Sequence, residues 1–184
     1  MIYKSQQEIQ DILEGGALLG KVMDVLISKV APGVTTLELD KLAYDLIVSY
    51  GGRPSFLNSQ PSFADKPFPA TLCTSINEGV VHTPATLNVT LQEGDVLKLD
   101  LGMEYKGLYT DMARTVPVGK ISREAKLLLS ATQQALEDAI ASLEVGQSLY
   151  SIGPAVKKVA DEHKLGIVRD LVGHGVGTKI HEDP

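Results

Sequence analysis

The 184-residue chain has no tryptophan, only three phenylalanines and a single cysteine, Cys73. One cysteine excludes an intrachain disulfide and suits a reducing compartment. No run of about 18 apolar residues occurs, so no segment reads as a membrane-spanning helix. The opening MIYKSQQEIQ lacks the apolar centre of a signal peptide. The cytoplasm is the expected location. Positive charge is also in the minority, with 17 Lys and Arg against 23 Asp and Glu, for a net charge of -6. No Lys/Arg stripe is available to neutralise phosphates, which argues against general nucleic-acid binding. What remains is a hydrophobic content of 43% with 22% charged residues. That is the composition of an ordinary globular protein, and the length suits one domain over residues 1–184 with a real core, or a tight pair of subdomains.

Two helix starts are signalled near the N-terminus. Ser5 with Glu8, and Thr35 with Glu38, have the spacing of capping boxes. The first helix is expected to run to about Val30, burying Ile9, Ile12, Leu13, Gly16, Ala17, Gly20, Met23 and Ile27. The second buries Leu39, Leu42, Ala43, Leu46 and Ile47 and ends at Gly51-Gly52. Residues 53–70 hold four prolines and all three phenylalanines, which precludes a helix or a central strand through them. Leu72–Ile76 reads as a strand. Ser122 opens a long helix burying Ala125, Leu128, Leu129, Thr132, Leu136, Ala139 and Ile140. A further helix covers about Ser148–Glu162, with Ile152, Ala155, Val156, Val159 and Ala160 inward and His163 at its C-terminal end. Ile167 and Val168 open a short strand.

The stretch VLKLDLGMEYKGLYTDMART, Val96 to Thr115, is the richest in chemistry. Its first half alternates, with Leu97, Leu99 and Leu101 on one face and Val96, Lys98 and Asp100 on the other. A turn at Lys106-Gly107 makes it a hairpin, and Asp100 and Asp111 are expected nearly opposite, with Cβ atoms about 5 Å apart. Two carboxylates that close repel unless a proton or a cation sits between them. Carboxylate oxygens suit Mg²⁺, Mn²⁺, Fe²⁺, Co²⁺ or Zn²⁺. The competing reading is an ordinary hairpin with both acids in water. His82, before Thr83-Pro84, is either structural or functional on its own evidence. His174 and His181 stand seven apart in GHGVGTKIHEDP, where the glycines allow backbone to approach a site closely. No strand-turn-helix with a downstream acid surrounds them, so the segment is not a dinucleotide fingerprint. An imidazole joining the two aspartates gives a donor set suited to hydrolytic divalent metals, against the plainer reading of a Gly-rich turn with solvent histidines.

Taken in order, PGVTTLELD, CTSINEGVVHTP, LDLGMEYKGLYTD and GHGVGTKIHEDP resemble type I methionine aminopeptidase, of the pita-bread creatinase/aminopeptidase superfamily. The resemblance covers essentially the whole chain. It implies an α+β fold with a curved antiparallel sheet backed by helices. It also implies a dinuclear site for divalent metal ions (Co, Mn, Fe or Zn) that hydrolyses the bond after an N-terminal methionine. Asp100, Asp111 and His174 fall at the family's metal ligands, and His82 and His181 at its catalytic-pocket histidines. The Phe-rich loop and Cys73 would border the methionine side chain. The partner implied is a peptide or nascent-chain N-terminus, near the ribosome, with no membrane.

The family's domain runs on for several strands that supply two glutamate ligands, and no residue before Pro184 matches them. The expectation is an incomplete domain missing its C-terminal strands, holding one ion or none and weakly active or inactive alone. Its sheet edge would be open to self-association. Three alternatives stay open: a catalytically dead peptide- or ribosome-binding module, a subunit completed by another chain, and an Xaa-Pro-type relative. The last kind usually carries an added N-terminal domain.

Overall fold

Period-two burial along one strand sets the centre of the structure. The computed structural model describes residues 3–60 and 65–183, so Phe63 of the aromatic loop lies outside the described residues. Strand β3 (Val96–Tyr105) buries Leu97, Leu99, Leu101 and Met103 completely, while Val96, Lys98 and Asp100 are half-buried on the reverse face. Strand β4 (Leu108–Pro117) pairs antiparallel with it along the full length, from Val96↔Pro117 to Tyr105↔Leu108. The connection is the two residues Lys106 and Gly107, with φ of 53° and 81°. Two positive φ values in a two-residue loop make the tight turn whose twist matches the strands, which is why the Lys-Gly signal is reliable. On its other side β3 pairs with β2 (Cys73–Ile76) through Leu97–Asp100 and with β1 (Arg53–Pro54) through Met103–Glu104. The two-residue β1 is the only strand within the proline-rich loop among the described residues, at the sheet's edge, where a ring nitrogen costs little.

Helices α1 (Gln6–Lys29) and α2 (Thr36–Ser49) begin at the two capping boxes, each with its reciprocal pair of hydrogen bonds. Leu19, Val22, Met23 and Leu26 of α1 join Leu39, Ala43 and Ile47 of α2 and the leucines of β3 in one core, with Leu72 and Leu91. The phase of α1 differs from expectation. Ile9, Leu13 and Ala17 are exposed, and burial begins at Gly15. A Cβ on Gly15 would lie 3.4 Å from Tyr105 Cβ and 3.5 Å from Thr110 Cγ2, so Gly15 carries the close approach rather than Gly16 or Gly20. The hairpin tip is tied to the same helix, with Lys106 Nζ 2.6 Å from Glu14 and 3.0 Å from Asp11.

The described chain forms two compact units, residues 1–120 with 174–184, and residues 121–173. The second contains α3 (Arg123–Ala141), capped by Ser122, and α4 (Ile152–Glu162), whose C-cap is His163. Only small side chains are buried within these helices: Ala131, Ala139, Val159 and Ala160. Leu128, Leu136, Ile140 and Ile152 were expected inside and are exposed. The helices pack on each other, and their apolar stripes stay largely exposed. Ile167 and Val168 are irregular, not a strand. Among the described residues no helix is long and apolar enough to cross a membrane.

These burial differences predict unequal costs. Leu99→Ala, at a fully buried site, is expected to cost about 2–5 kcal/mol. Leu136→Ala is expected to stay within about 0.5 kcal/mol. Urea unfolding followed by circular dichroism checks both.

Candidate active site

The leucine face of β3 is covered by helices, so its reverse face is where polar chemistry collects. Asp100 pairs with Ala113, and Asp111 with Gly102. The two aspartates are therefore diagonal neighbours on one face, not directly opposite as expected. Their Cβ separation is the wider, diagonal one, approaching ~7 Å rather than ~5 Å. The two-residue turn causes this, because it fixes the register: Asp100 lies five residues before Tyr105, the last residue of β3, while Asp111 lies three beyond Leu108, the first of β4.

Gly102 faces Asp111 across the pair. A Cβ there would clash with Ser55 Oγ and lie 3.0 Å from Ile180 Cδ1 and 3.1 Å from Phe56 Cε1. The missing side chain lets the proline-rich loop and the C-terminal segment press onto the sheet beside the aspartates. Ser55 donates its backbone N–H to the Gly102 carbonyl at 3.0 Å, and Phe56 meets Phe68 edge to face at 6.4 Å. Cys73 pairs with Asp100 across β2 and β3 and is buried on the same side. Burial, and then the charges of Asp100 and Asp111, push its thiol up to about 12. A thiol so protonated is neither nucleophile nor ready ligand, which leaves a lining role.

Residues 174–183 fold back on themselves. Gly175 and Glu182 exchange backbone hydrogen bonds of 2.7 and 2.9 Å, and Tyr109 of β4 donates to the Gly177 carbonyl at 2.7 Å. The fold-back sets the His174 and His181 rings 4.4 Å apart, edge to face, and puts His174 Nε2 3.4 Å from Asp111 Oδ2. His174 Nδ1 lies 2.9 Å from the Gly175 carbonyl oxygen. That oxygen only accepts, so Nδ1 is the donor there and Nε2 is the ring nitrogen that faces Asp111. His82 is exposed, in the left-handed conformation at φ 61°. Its neighbours Thr83 and Pro84 run beside β2, with Thr74 donating to the Thr83 carbonyl at 2.7 Å. Its charge weighs on His181. His163 lies in the other unit.

The site is electrostatically unsettled. Burial, reinforced by Asp111, pushes the Asp100 carboxyl up to about 7, against the pull of His174. Burial also raises Asp111, opposed by His174 and His181. Desolvation and His174 hold His181 below the usual imidazole range. Asp111 Oδ1 and Ser55 Oγ are buried without a hydrogen-bond partner among the described residues. A desolvated carboxylate oxygen with no donor among the described residues, a second carboxylate on the same face and an imidazole nitrogen facing the first are chemistry that a divalent cation satisfies. The residues fit such an ion in donor type. They do not close around one: among the described residues no group of three or more His, Cys, Asp and Glu side chains is arranged to hold a metal ion. Ser55, Ile180 and Glu182 were not singled out from sequence. The last two could have been suspected only from flanking His181.

The raised Asp100 has a consequence for stability. Between the ordinary carboxylate value and about 7 the folded chain holds a proton that the unfolded chain releases. Stability therefore falls as pH rises through that window. Asp100→Asn removes the effect. Without divalent ions it is expected to stabilise by roughly 1–3 kcal/mol at pH 8 and not at pH 4. Urea midpoints at the two pH values test this, and an equal gain at both would refute it.

Comparison with known proteins bears on family and fold. The family model for metallopeptidase family M24 matches residues 10–184. The methionine aminopeptidase of Clostridium acetobutylicum is 36% identical over 184 residues, covering 100% of this chain and 71% of its own length. That of Aquifex aeolicus is 37% identical over 180 residues, covering 98% and 70%. The methionine aminopeptidase structure from Thermotoga maritima superposes with a TM-score of 0.91 at 29% identity, covering 100% of this chain and 72% of that one. The prolidase of Pyrococcus furiosus, with a TM-score of 0.81 at 20% identity, shares the fold. The architecture is thus the α+β pita-bread fold, with its antiparallel sheet and flanking helices. A match spanning residues 10–184 and this shared architecture make the chain a member of metallopeptidase family M24.

Proposed function

We propose that this chain carries one wall of a divalent-metal site that removes N-terminal methionine from peptides or nascent proteins by hydrolysis, in the cytoplasm and near the ribosome. The single observation that carries the reading is the placement on the β3–β4 face of Asp100, Asp111 and His174 Nε2, with one buried Asp111 oxygen unpartnered among the described residues. Similarity to methionine aminopeptidases supplies the reaction class. Asp100, Asp111 and His174 are the residues that would hold the metal, with Co, Mn, Fe and Zn as candidates. A divalent ion there would polarise the scissile carbonyl and lower the pKa of the attacking water.

The chain's own residues do the rest. His181, kept neutral near physiological pH by desolvation and by His174, is able to accept a proton or hydrogen-bond the reacting carbonyl. His82, at the open side, is placed to bind the incoming peptide. Phe56, Phe68, Ile180 and the protonated Cys73 exclude water and give the methionine side chain an apolar wall. Residues 1–184 act in this reading as one catalytic domain, matching about 70% of the length of the relatives. Among the described residues β4 has one backbone bond on its outer side, from Tyr109 to Gly177, and a second copy of the chain is proposed to pair along it.

Three measurements test the proposal. Isothermal titration with Co²⁺ or Mn²⁺ is expected to show weak binding of one ion, and Asp111→Asn is expected to weaken it more than tenfold. Retained affinity in that variant would remove the site from the face assigned here. Without the two glutamates implied by the family resemblance, cleavage of Met-Ala-Ser by the 184-residue chain alone is expected near background, so robust turnover by metal-loaded protein would contradict this reading. Sedimentation is expected to depend on concentration, and a monomer throughout would exclude edge pairing.

A further inference from the structure

The histidine-bearing segment has no regular secondary structure, yet its two rings are held 4.4 Å apart. Its anchor is a carboxylate that no metal or catalytic role uses. The Glu182 side chain is 1% exposed. Its Oε1 accepts the backbone N–H of Thr178 at 2.7 Å and of Lys179 at 3.2 Å, and the Thr178 hydroxyl at 3.0 Å. Its Oε2 meets Lys4 Nζ at 2.9 Å, from the segment before α1 and 178 residues away in sequence. These donors, Lys4 first, push the Glu182 carboxyl down to about 2.

Glycine at position 177 is a consequence of the same pair. A Cβ there would clash with Lys4 Cε, and would lie 2.7 Å from both Glu182 oxygens. The Gly177 carbonyl in turn receives the Tyr109 N–H, two residues before Asp111. At the other end, Glu182 closes the segment by its backbone bonds with Gly175, next to His174. The ion pair thus reaches both histidines and β4 through consecutive short bonds.

We propose that Lys4 and Glu182 are positioning residues. Their buried pair sets the fold-back of residues 174–183, and through it the distance of His174 from Asp111 and from His181. The segment before α1 is thereby part of the site's support, although it contributes no group to the reaction. The consequence for metal affinity rests on the function proposed above. The geometric claim does not.

The test uses the full 184-residue chain and its Lys4→Met, Lys4→Arg and Glu182→Gln variants. Far-UV circular dichroism and urea midpoints report the fold. Nuclear Overhauser effects between the His174 and His181 rings report the pair, without metal, and titration with Co²⁺ reports the site. Lys4→Met is expected to keep its helix content, lose the ring-to-ring effect and bind Co²⁺ at least tenfold more weakly. Lys4→Arg restores both. Lys4→Met that keeps the ring-to-ring effect and its Co²⁺ affinity within twofold would overturn the proposal. So would global unfolding of both Lys4→Met and Glu182→Gln, which would make the pair a determinant of the fold instead. If the unaltered chain binds no Co²⁺, the metal reading fails, and the ring-to-ring effect alone decides the positioning claim.

Discussion

The full-length pairing of β3 with β4 through a two-residue turn is the constraint on which everything else rests. One register follows from that turn, and a slip by a single residue would turn the leucines of β3 out of the core. Because Leu97, Leu99, Leu101 and Met103 must meet α1 and α2, Asp100 and Gly102 are forced to the reverse face. The same register brings Asp111 opposite Gly102, where the absent side chain admits Ser55, Phe56 and Ile180. The core and the candidate site are two readings of one alternation, and neither can shift without the other.

The cost of this arrangement is concentrated on the polar face. Two acids share a desolvated surface, and one of their oxygens lacks a donor among the described residues. A chain selected for stability alone would replace such a cluster with apolar or hydrogen-bonded residues. Local conflict of this kind collects at functional sites, where a ligand settles it. Glu182 is more withdrawn from solvent than Asp111 and yet fully supplied with donors, and so it is a structural anchor. What separates the two kinds of acid is the count of donors.

Much was legible in the residues. Both capping boxes, the second helix's buried face, the strand at Cys73–Ile76, the hairpin turn and the leucine alternation follow from local rules, because capping and turn chemistry act over three or four residues. The four ordered motifs were enough to indicate family membership. The misreadings arose where a partner decides. Along α1 apolar residues occupy more than one face, and the hairpin under Gly15 selects which is buried. Along α3 the apolar stripe is present, but Leu128, Leu136 and Ile140 find no cover among the described residues.

Local sequence was sufficient for most element types, though not at Ile167 and Val168, for the alternation of β3 and for picking out Asp100, Asp111, His82, His174 and His181 as chemically notable groups. Periodicity and motif spacing carry that information along the chain. It was not sufficient for the diagonal placement of the aspartates, the proximity of the two histidine rings or the tie between Lys4 and Glu182. Those depend on register and on contacts between segments up to 178 residues apart. Distance in space is set by packing, and a glycine, a serine or a lysine at the right place in the packing leaves no periodic trace in the chain.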